Sequence, residues 1–76
     1  MKSIKITLKL AESVKEFVNI VSKYPHDVDL RSGRFVIDAK SLLGIFSLDL
    51  SKPLTLEIQG NDADELIGQL SKFAAK

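Results

Sequence analysis

Few residues in this chain have side chains that could carry out chemistry. Its one histidine, His26, directly follows Pro25, and acid–base or nucleophilic catalysis requires partner groups that the fold brings to it. Asp27 and Asp29 are its nearest carboxylates in the sequence, but the alternation of a strand would turn both away from the side of His26. We therefore interpret His26 as a solvent-facing turn residue without a catalytic role.

The other residues that could bind a metal or take part in catalysis are explained by their places in secondary structure. A metal site needs several ligands in one place, and the cluster Asp62, Asp64 and Glu65 falls where the first turn of a helix is expected, a position that favours acids. The sequence has no glycine-rich phosphate loop and no nucleophile elbow,. It has no cysteine, so neither disulfides nor thiolate-bound zinc are available,. The residues alone indicate no enzyme, no metal site and no cofactor.

The charge pattern gives no indication of a nucleic-acid or membrane partner. Eleven basic and ten acidic residues are interspersed and give a formal net charge of +1, so no run predicts binding to nucleic acid or to a membrane surface. We interpret Lys2, Lys5 and Lys9 as the solvated face of a strand rather than a phosphate-binding stripe. The start of the chain lacks the apolar region of a signal peptide, and no apolar stretch could span a bilayer. The expectation is one cytoplasmic domain over residues 1–76.

Apolar spacing predicts the first elements of the fold. Residues 4–10 alternate apolar with polar side chains, which indicates a strand. A helical stripe follows, and Ser13 with Glu16 fits a capping box at its start, although the helix could equally begin at Ala11. The helix must end before Pro25, because a residue that precedes proline avoids the α region.

The rest of the chain predicts a hairpin, a short helix, a strand and a last helix. Residues 28–30 and 35–37 alternate around a turn in which Gly33 can adopt positive φ. Residues 54–59 alternate again, and a turn at 60–62 leads into the last helix. The apolar residues predicted on the buried face of that helix are Ala63, Leu66, Ile67, Leu70, Phe73 and Ala74.

The element order β-α-β-β-(short α)-β-α indicates an α+β fold with helices on one face of an antiparallel sheet. The other face would contact water, which accounts for the lysines, aspartates and Thr55 at alternate positions. A ferredoxin-like βαββαβ arrangement is the rival. The extra short helix after the third strand argues against it.

The segment AKSLLGIFSLDL, residues 39–50, carries a family resemblance. Its stretch KSLLGIFSL is similar to the lysine-serine-apolar-apolar-glycine-apolar-apolar-serine-leucine segment of the bacterial phosphocarrier family HPr, and Ser22-Lys23-Tyr24 resembles that family's first helix end. The resemblance covers nearly the whole chain. It implies an open-faced β-sandwich with sheet order 1-4-2-3, two main helices and one short helix on one face, and a role in the sugar phosphotransferase system.

The chain departs from the family at the phosphate-accepting motif. The family has glycine-isoleucine-histidine-alanine-arginine-proline-alanine at the start of the first helix. Aligned without gaps from Ser41, the histidine position falls on Leu10 and the arginine position on Glu12. Leucine cannot hold a phosphoryl group, and glutamate would repel it. His26 lies at the far end of that helix, so the resemblance implies no catalytic residue here.

Ser41 has two interpretations. Serine is a favoured helix N-cap, because its oxygen accepts a hydrogen bond from an early backbone N–H, with a gain of about 1 kcal/mol. Ser41 also matches the family's regulatory serine, which a dedicated kinase phosphorylates in Gram-positive bacteria. A helix N-terminus can serve both roles, since it also stabilises phosphate. The sequence leaves open whether Ser41 is a cap alone or also a phosphorylation site.

The apolar run after Ser41 raises a second open question. At 100° per residue, Leu42, Ile45 and Phe46 share one side of a short helix, whereas Leu43 projects elsewhere. Some of these side chains should stay exposed, and an exposed apolar patch marks a partner site. Leu42, Leu43 and Phe46 match positions through which HPr proteins dock onto partners. The alternative is that all of them belong to the core of a small domain.

Three functions follow as hypotheses. The first is an HPr-like protein, not an enzyme and without a cofactor, that does not carry phosphate on histidine and regulates other proteins through the Ser41 helix. The second is an active phosphocarrier with another acceptor, and the third is a structural or self-associating domain unrelated to sugar uptake. The partners that the resemblance implies are Enzyme I, the sugar-specific components, the serine kinase and a catabolite-control transcription factor. The sequence does not specify the oligomeric state.

Overall fold

The structure, a computed structural model, describes residues 2–60 and 62–75, and its elements follow the predicted order. The strands are β1 (Lys2–Ile6), β2 (Val28–Ser32), β3 (Phe35–Asp38) and β4 (Leu54–Ile58). The helices are α1 (Ala11–Ser22), α2 (Leu42–Phe46) and α3 (Asp64–Gln69), and a 3₁₀ turn (Ser71–Phe73) follows α3.

The four strands form one antiparallel sheet in the order β1-β4-β2-β3. This is the order that the resemblance implied, and with β1 at an edge and α2 between β3 and β4 the ferredoxin-like rival is excluded. Gly33 has the predicted positive φ, +59°, in the turn that joins β2 to β3. Gly60, in the turn after β4, has φ +103°, and its neighbour Asn61 lies outside the described residues.

The core lies between the sheet and the helices. Phe17 of α1 meets Phe73 edge to face, with ring centroids 5.9 Å apart, and this contact joins the first helix to the end of the chain,. All buried side chains in residues 2–60 and 62–75 are apolar, and they are Ile6, Leu8, Val14, Phe17, Val21, Val28, Leu30, Ala39, Ile45, Leu54, Leu56, Ile58, Ala63, Leu66, Leu70 and Phe73. Stability therefore rests on apolar packing, as the lack of cysteine requires,.

The other face of the sheet is polar, as predicted, and we call it the open face. Lys5, Thr55 and Arg31 lie side by side on it in one cross-strand row. The three early lysines do not share this face. Lys2 pairs with the core-side position Ile58 and makes an ion pair with Asp64 at 3.0 Å. Since Lys9 lies beyond the end of β1, the interpretation of all three as one strand face is wrong.

The start of α1 differs from the capping-box prediction. The helix begins at Ala11, the alternative start, and the N-cap is Leu10, whose carbonyl accepts from the N–H of Val14 at 3.1 Å. Ser13 lies inside the helix, and the N-cap makes no side-chain hydrogen bond. The first strand is correspondingly shorter than expected, because it ends at Ile6 and the chain then runs to the helix through buried Leu8.

The end of the chain also differs from one long helix. After α3 the chain tightens into the 3₁₀ turn, and residues 73–75 then bond to the outer edge of β1. The N–H of Ala75 donates to the carbonyl of Lys5 at 2.9 Å, and the N–H of Thr7 donates to the carbonyl of Phe73 at 2.8 Å. Ala74 is therefore exposed and was wrongly assigned to the buried helix face. Within the described ranges, no helix combines the length and apolar character needed to cross a membrane.

Candidate functional site

The N-terminus of α1 presents an aliphatic side chain to solvent. Leu10 has extended backbone angles, φ −111° and ψ 147°, and is 65% exposed. Glu12 follows in the first helical turn and is exposed as well. Leucine has no nucleophilic atom, and Glu12 places a negative charge, not a cation, in the first turn of α1,.

Ser41 caps α2. Its Oγ accepts a hydrogen bond from the backbone N–H of Gly44 at 3.2 Å, so the predicted capping role is confirmed,. At the other end, Ser47 Oγ donates to the carbonyl of Gly44 at 2.5 Å. Two serines thus satisfy backbone groups of a helix that is only five residues long,. Ser41 itself is exposed, so its hydroxyl faces solvent while it makes the cap.

The segment before Ser41 fixes α2 against its neighbours. The carboxylate of Asp38 accepts from the N–H of Lys40 at 2.9 Å, and the carbonyl of Asp38 accepts from the N–H of Ser41 at 3.0 Å. Lys40 Nζ donates to the carbonyl of Tyr24 at 2.9 Å, just beyond the C-terminal end of α1. These bonds set the position of the exposed serine relative to α1.

The apolar run is divided between the core and the surface. Ile45 is fully buried, and Leu42 is half-buried against the core. Leu43 is 83% exposed, as expected for a residue that projects away from the buried side, whereas Phe46 is 42% exposed although we placed it on that side. We call exposed Leu43 and Phe46, with half-buried Leu42 beside them, the α2 surface. Ile45 is the member of the run that belongs to the core.

His26 is half-buried, which corrects its interpretation as a solvent-facing residue. Its Nε2 donates to the carbonyl of Asp62 at 2.8 Å, while Nδ1 is buried and has no partner. Its ring centroid lies 6.2 Å from that of Tyr24, beyond the C-terminal end of α1. His26 therefore joins the turn before α3 to the α1–β2 connection and does not lie at the N-terminus of α1.

The carboxylate clusters form no metal site. Among residues 2–60 and 62–75, no group of three or more histidine or acidic side chains is arranged to hold a metal ion. Asp64 is occupied by its ion pair with Lys2. Asp29 lies on the open face between Asp38 and Glu57 in one cross-strand row, and Glu57 makes an ion pair with Arg31.

The surface also has two shallow grooves, the first of which adjoins the C-terminal end of α2 at Ser47. One, of about 470 Å³, is lined by the β2–β3 turn and by residues 47–49 and Lys52. The other, of about 420 Å³, lies where the end of the chain meets the segments around Lys9 and Pro53. Neither groove is lined by Leu10, His26 or Ser41. The candidate site is thus an exposed protein surface around Ser41.

Comparison with known protein families shows which family the chain belongs to. The family profile PTS-HPr, described as the phosphotransferase system (PTS) HPr component phosphorylation site, matches residues 5–76. The chain belongs to the HPr family. It is therefore related to the phosphocarriers of the PTS, proteins that are not enzymes in themselves. A search of curated protein sequences finds no match.

Solved structures of HPr-family proteins have the same fold. HPr-C-His from Thermoanaerobacter tengcongensis is 29% identical over 95% of this chain and 89% of its own, with a TM-score of 0.80. Crh, the catabolite repression protein of Bacillus subtilis, is 30% identical over 90% of this chain and 79% of its own, with a TM-score of 0.67, and its structure was described as a domain-swapped dimer. HPr from Bacillus anthracis, 24% identical over 97% of this chain and 94% of its own, matches in fold with a TM-score of 0.74.

Sequence reasoning missed the exposure of β3. Phe35 and Val36 were predicted only as strand residues, yet they are 70% and 47% exposed. Their position at the sheet edge follows from the order β1-β4-β2-β3. The signal available in the sequence was the short, fully apolar run 35–37, which lacks the alternation of a strand with one wet face,.

Proposed function

We propose that this HPr-family protein is a regulatory, protein-binding component of the PTS that acts through the α2 surface and does not carry phosphate on histidine. The observation that carries the proposal is the combination of a capped, exposed Ser41 with Leu43, two residues further along the chain, which is 83% exposed. Exposed Leu43 and Phe46, with half-buried Leu42 beside them, form an apolar patch of the kind that marks a partner site,.

The N-terminus of α1 supports the loss of phosphoryl transfer. Leu10 and Glu12 occupy the positions that the resemblance assigns to the family's histidine and arginine. His26 cannot replace that histidine, because it lies past the opposite end of a helix of twelve residues, about 18 Å long,. Its Nε2 is also engaged with the carbonyl of Asp62.

Ser41 supports a regulatory switch at the same surface. Its hydroxyl is exposed, and a kinase that transfers the γ-phosphoryl group of ATP to Oγ would form the phosphoserine with release of ADP. The phosphate would add about two negative charges beside Leu42 and Leu43 and would end the N-cap bond in its present form. Partners that bind the α2 surface would therefore discriminate between the two forms. By family, they are Enzyme I, the sugar-specific components, the serine kinase and a catabolite-control transcription factor.

Phosphorylation of Ser41 is tested with the family's serine kinase and ATP, followed by mass spectrometry of the intact protein and its peptides. We expect one phosphate, located on Ser41, and none on Ser41→Ala. Ser47→Ala is the matched control, since Ser47 lies at the other end of α2, and it should be phosphorylated like the wild type. A wild type without phosphate would remove the switch from the proposal.

Histidine transfer is tested with Enzyme I and labelled phosphoenolpyruvate. We expect no stable label on the wild type and none on His26→Gln. Label on the wild type that His26→Gln abolishes would identify His26 as the acceptor and overturn the proposal. Label that survives this substitution would instead identify another acceptor, as in the second hypothesis.

Docking is tested by titration of labelled Enzyme I, serine kinase and catabolite-control regulator with the wild type. We expect at least one of them to bind, and Leu43→Asp to weaken that binding by more than tenfold, an expectation based on the cost of placing a charge in an apolar contact. Leu10→Asp is the control for an exposed leucine outside α2. If none of the three binds, the domain is unrelated to the PTS partners, as the third hypothesis states.

A further inference from the structure

Strand β3 is an edge of the sheet that exposes apolar side chains. Proteins usually blunt such edges with charged side chains, above all lysine, or with proline or a bulge, and the only such device in Phe35–Asp38 is the charge of Asp38 at its end. Phe35 and Val36 are instead 70% and 47% exposed, on opposite faces of the strand,. The other edge of the sheet is β1, and residues 73–75 form hydrogen bonds to it and partly cover it.

The hydrogen-bond pattern shows which backbone groups of β3 point outward. Ala39 donates its N–H to the carbonyl of Val28 in the neighbouring segment at 2.9 Å. Because inward and outward groups alternate along an antiparallel strand, the backbone groups of Phe35 and Ile37 also face β2. The N–H and C=O groups of Val36 and the N–H of Asp38 consequently face away from the sheet.

We propose that β3 is a self-association edge, where two copies of this chain pair antiparallel about Val36 and join their sheets into one of eight strands. In this register the outward N–H and C=O of Val36 in one copy meet those of Val36 in the other, which gives two reciprocal hydrogen bonds at the centre. The twofold axis is perpendicular to the sheet, so both open faces lie on the same side. Nothing in either domain has to unfold or exchange.

The side chains along β3 are complementary in this register. Phe35 of one copy lies opposite Ile37 of the other, an aromatic–aliphatic pair on the helix side of the sheet. Arg34 of one copy lies opposite Asp38 of the other, and the same contact occurs again at the symmetric end. Arg34 lies in the turn just before β3, and residues 34–38 read cation, apolar, apolar, apolar, anion, so this segment is complementary to itself when it is reversed.

The arrangement of charges in the single domain favours a second copy of the chain as the partner. Asp38 lies directly opposite Asp29 on β2, and Asp29 lies opposite Glu57 on β4, so three carboxylates share one row of the open face. Like charges in directly opposite positions destabilise a sheet. Arg31 makes an ion pair with Glu57. Arg34 makes no ion pair within residues 2–60 and 62–75, and in the paired sheet it would neutralise the Asp38 end of the row.

The test is the oligomeric state of the purified chain, by sedimentation equilibrium over a concentration series up to about 1 mM, the range of a weak complex. We expect a reversible monomer–dimer equilibrium. Val36→Lys should abolish the dimer, because edge lysines oppose strand pairing. Leu43→Lys, on the α2 surface, should leave the equilibrium unchanged. A chain that is monomeric throughout would overturn the proposal, as would a dimer that Val36→Lys leaves intact or that Leu43→Lys abolishes.

A charge exchange tests the register itself. Arg34→Asp and Asp38→Arg should each raise the dimer dissociation constant by about tenfold, because each creates two like-charged pairs. The double variant with both changes restores opposite charges and should return the constant to near the wild-type value. Lys9→Asp, with the same change in net charge as Arg34→Asp but away from β3, should have little effect. Failure of the double variant to recover would exclude pairing about Val36.

Amide hydrogen exchange gives an independent measurement. The N–H of Val36 points to solvent in the single domain, so it should exchange fast at low concentration and become protected as the dimer forms. The N–H of Ile37 faces β2 and should be protected at all concentrations. A Val36 amide whose exchange rate does not depend on concentration would contradict the proposal. Leu43→Asp, which tests the function proposed above, does not alter this measurement, so the two proposals can fail separately.

Discussion

Ser41 Oγ accepts a hydrogen bond from the N–H of Gly44 at 3.2 Å, and a Cβ added at Gly44 would lie 3.0 Å from that same Oγ. The cap and the absent side chain therefore occupy neighbouring space. Gly44 has ordinary helical backbone angles, so glycine is needed here for close approach and not for its conformational freedom. The serine-x-x-glycine spacing of the apolar segment therefore leaves room for the cap.

This relationship predicts that the two positions are coupled energetically. Ser41→Ala should lower the free energy of unfolding by about 1 kcal/mol through loss of the cap. Gly44→Ala should change it little in the wild type, because the gain of about 1 kcal/mol in helix propensity is offset when Oγ is displaced. In the Ser41→Ala background the contact with Oγ is gone, although those with the Cβ of residue 41 at 3.3 Å and with Ile37 at 3.4 Å remain, so Gly44→Ala should be more favourable than in the wild type. Urea unfolding of the four proteins measures the coupling, and strict additivity would contradict the prediction.

The division of the apolar run predicts different costs for two aliphatic residues on one short helix. Ile45→Ala should destabilise the domain by about 2–5 kcal/mol, because Ile45 is fully buried,. Leu43→Ala should change stability by less than about 0.5 kcal/mol, because Leu43 is 83% exposed,. Thermal and urea unfolding measure both. A large loss of stability in Leu43→Ala would show that this side chain packs within the domain and would remove it from the α2 surface.

The sequence predicted the fold well because the relevant signals were local. Alternation identified the strands, Gly33 marked the hairpin turn, and the serine at 41 marked a helix start. It failed at Ser13, where a capping pattern fell inside a helix that begins at Ala11. His26 was also misjudged, because its burial depends on a turn 36 residues further along the chain. Long-range contacts of this kind leave no pattern in a short window.

The candidate site was predictable only in part for the same reason. The exposed Leu43 followed from helical spacing, and Ser41 followed from its residue type. The exposure of Phe46 did not follow, because a helix of five residues gives too few turns to define its buried side,. The exposed edge at Phe35 depends on strand order, which only the assembled sheet defines.

Asp49 provides a pH-dependent test of the segment after α2. Ser51 donates to Asp49 Oδ1 twice, from Oγ at 2.5 Å and from its N–H at 3.1 Å. The side-chain hydrogen bond from Ser51 is the largest cause that lowers the pKa of Asp49 below its ordinary 3.8, and the backbone bond from Ser51 is the second. Desolvation raises this pKa, and the charge of Lys52 lowers it by a smaller amount. Since the folded pKa is lowered, the stabilisation is present above 3.8 and is lost as pH falls through the folded pKa,.

Ser51→Ala removes the side-chain hydrogen bond, which is the largest effect on the pKa of Asp49, and keeps the backbone bond. We expect the pKa of Asp49 to rise towards its ordinary value, measured by the NMR titration of its carboxyl carbon. Ser3→Ala, a change to an exposed serine on the open face, should not move it. An unchanged pKa in Ser51→Ala would mean that the hydroxyl does not hold the carboxylate in solution.

Tyr24 titrates in the opposite direction. Desolvation by burial, and then the negative charge of Glu65, raise the pKa of the Tyr24 phenol above its ordinary 10.0. Because the folded pKa is raised, the neutral phenol stabilises the folded state below pH 10.0, and this contribution is lost as pH rises through the folded pKa,.

Glu65→Gln separates the two causes of this shift. The substitution removes the charge and leaves the burial, so the pKa of Tyr24 should fall but remain above 10.0,. Ultraviolet titration of the phenolate measures it directly, since Tyr24 is the chain's one tyrosine and the chain has no tryptophan. Glu12→Gln, at the opposite end of α1, is the matched control and should leave the pKa of Tyr24 where it is. A Tyr24 pKa that is the same in both variants and in the wild type would show that Glu65 lies too far away to act, and that burial beside the core is the whole cause.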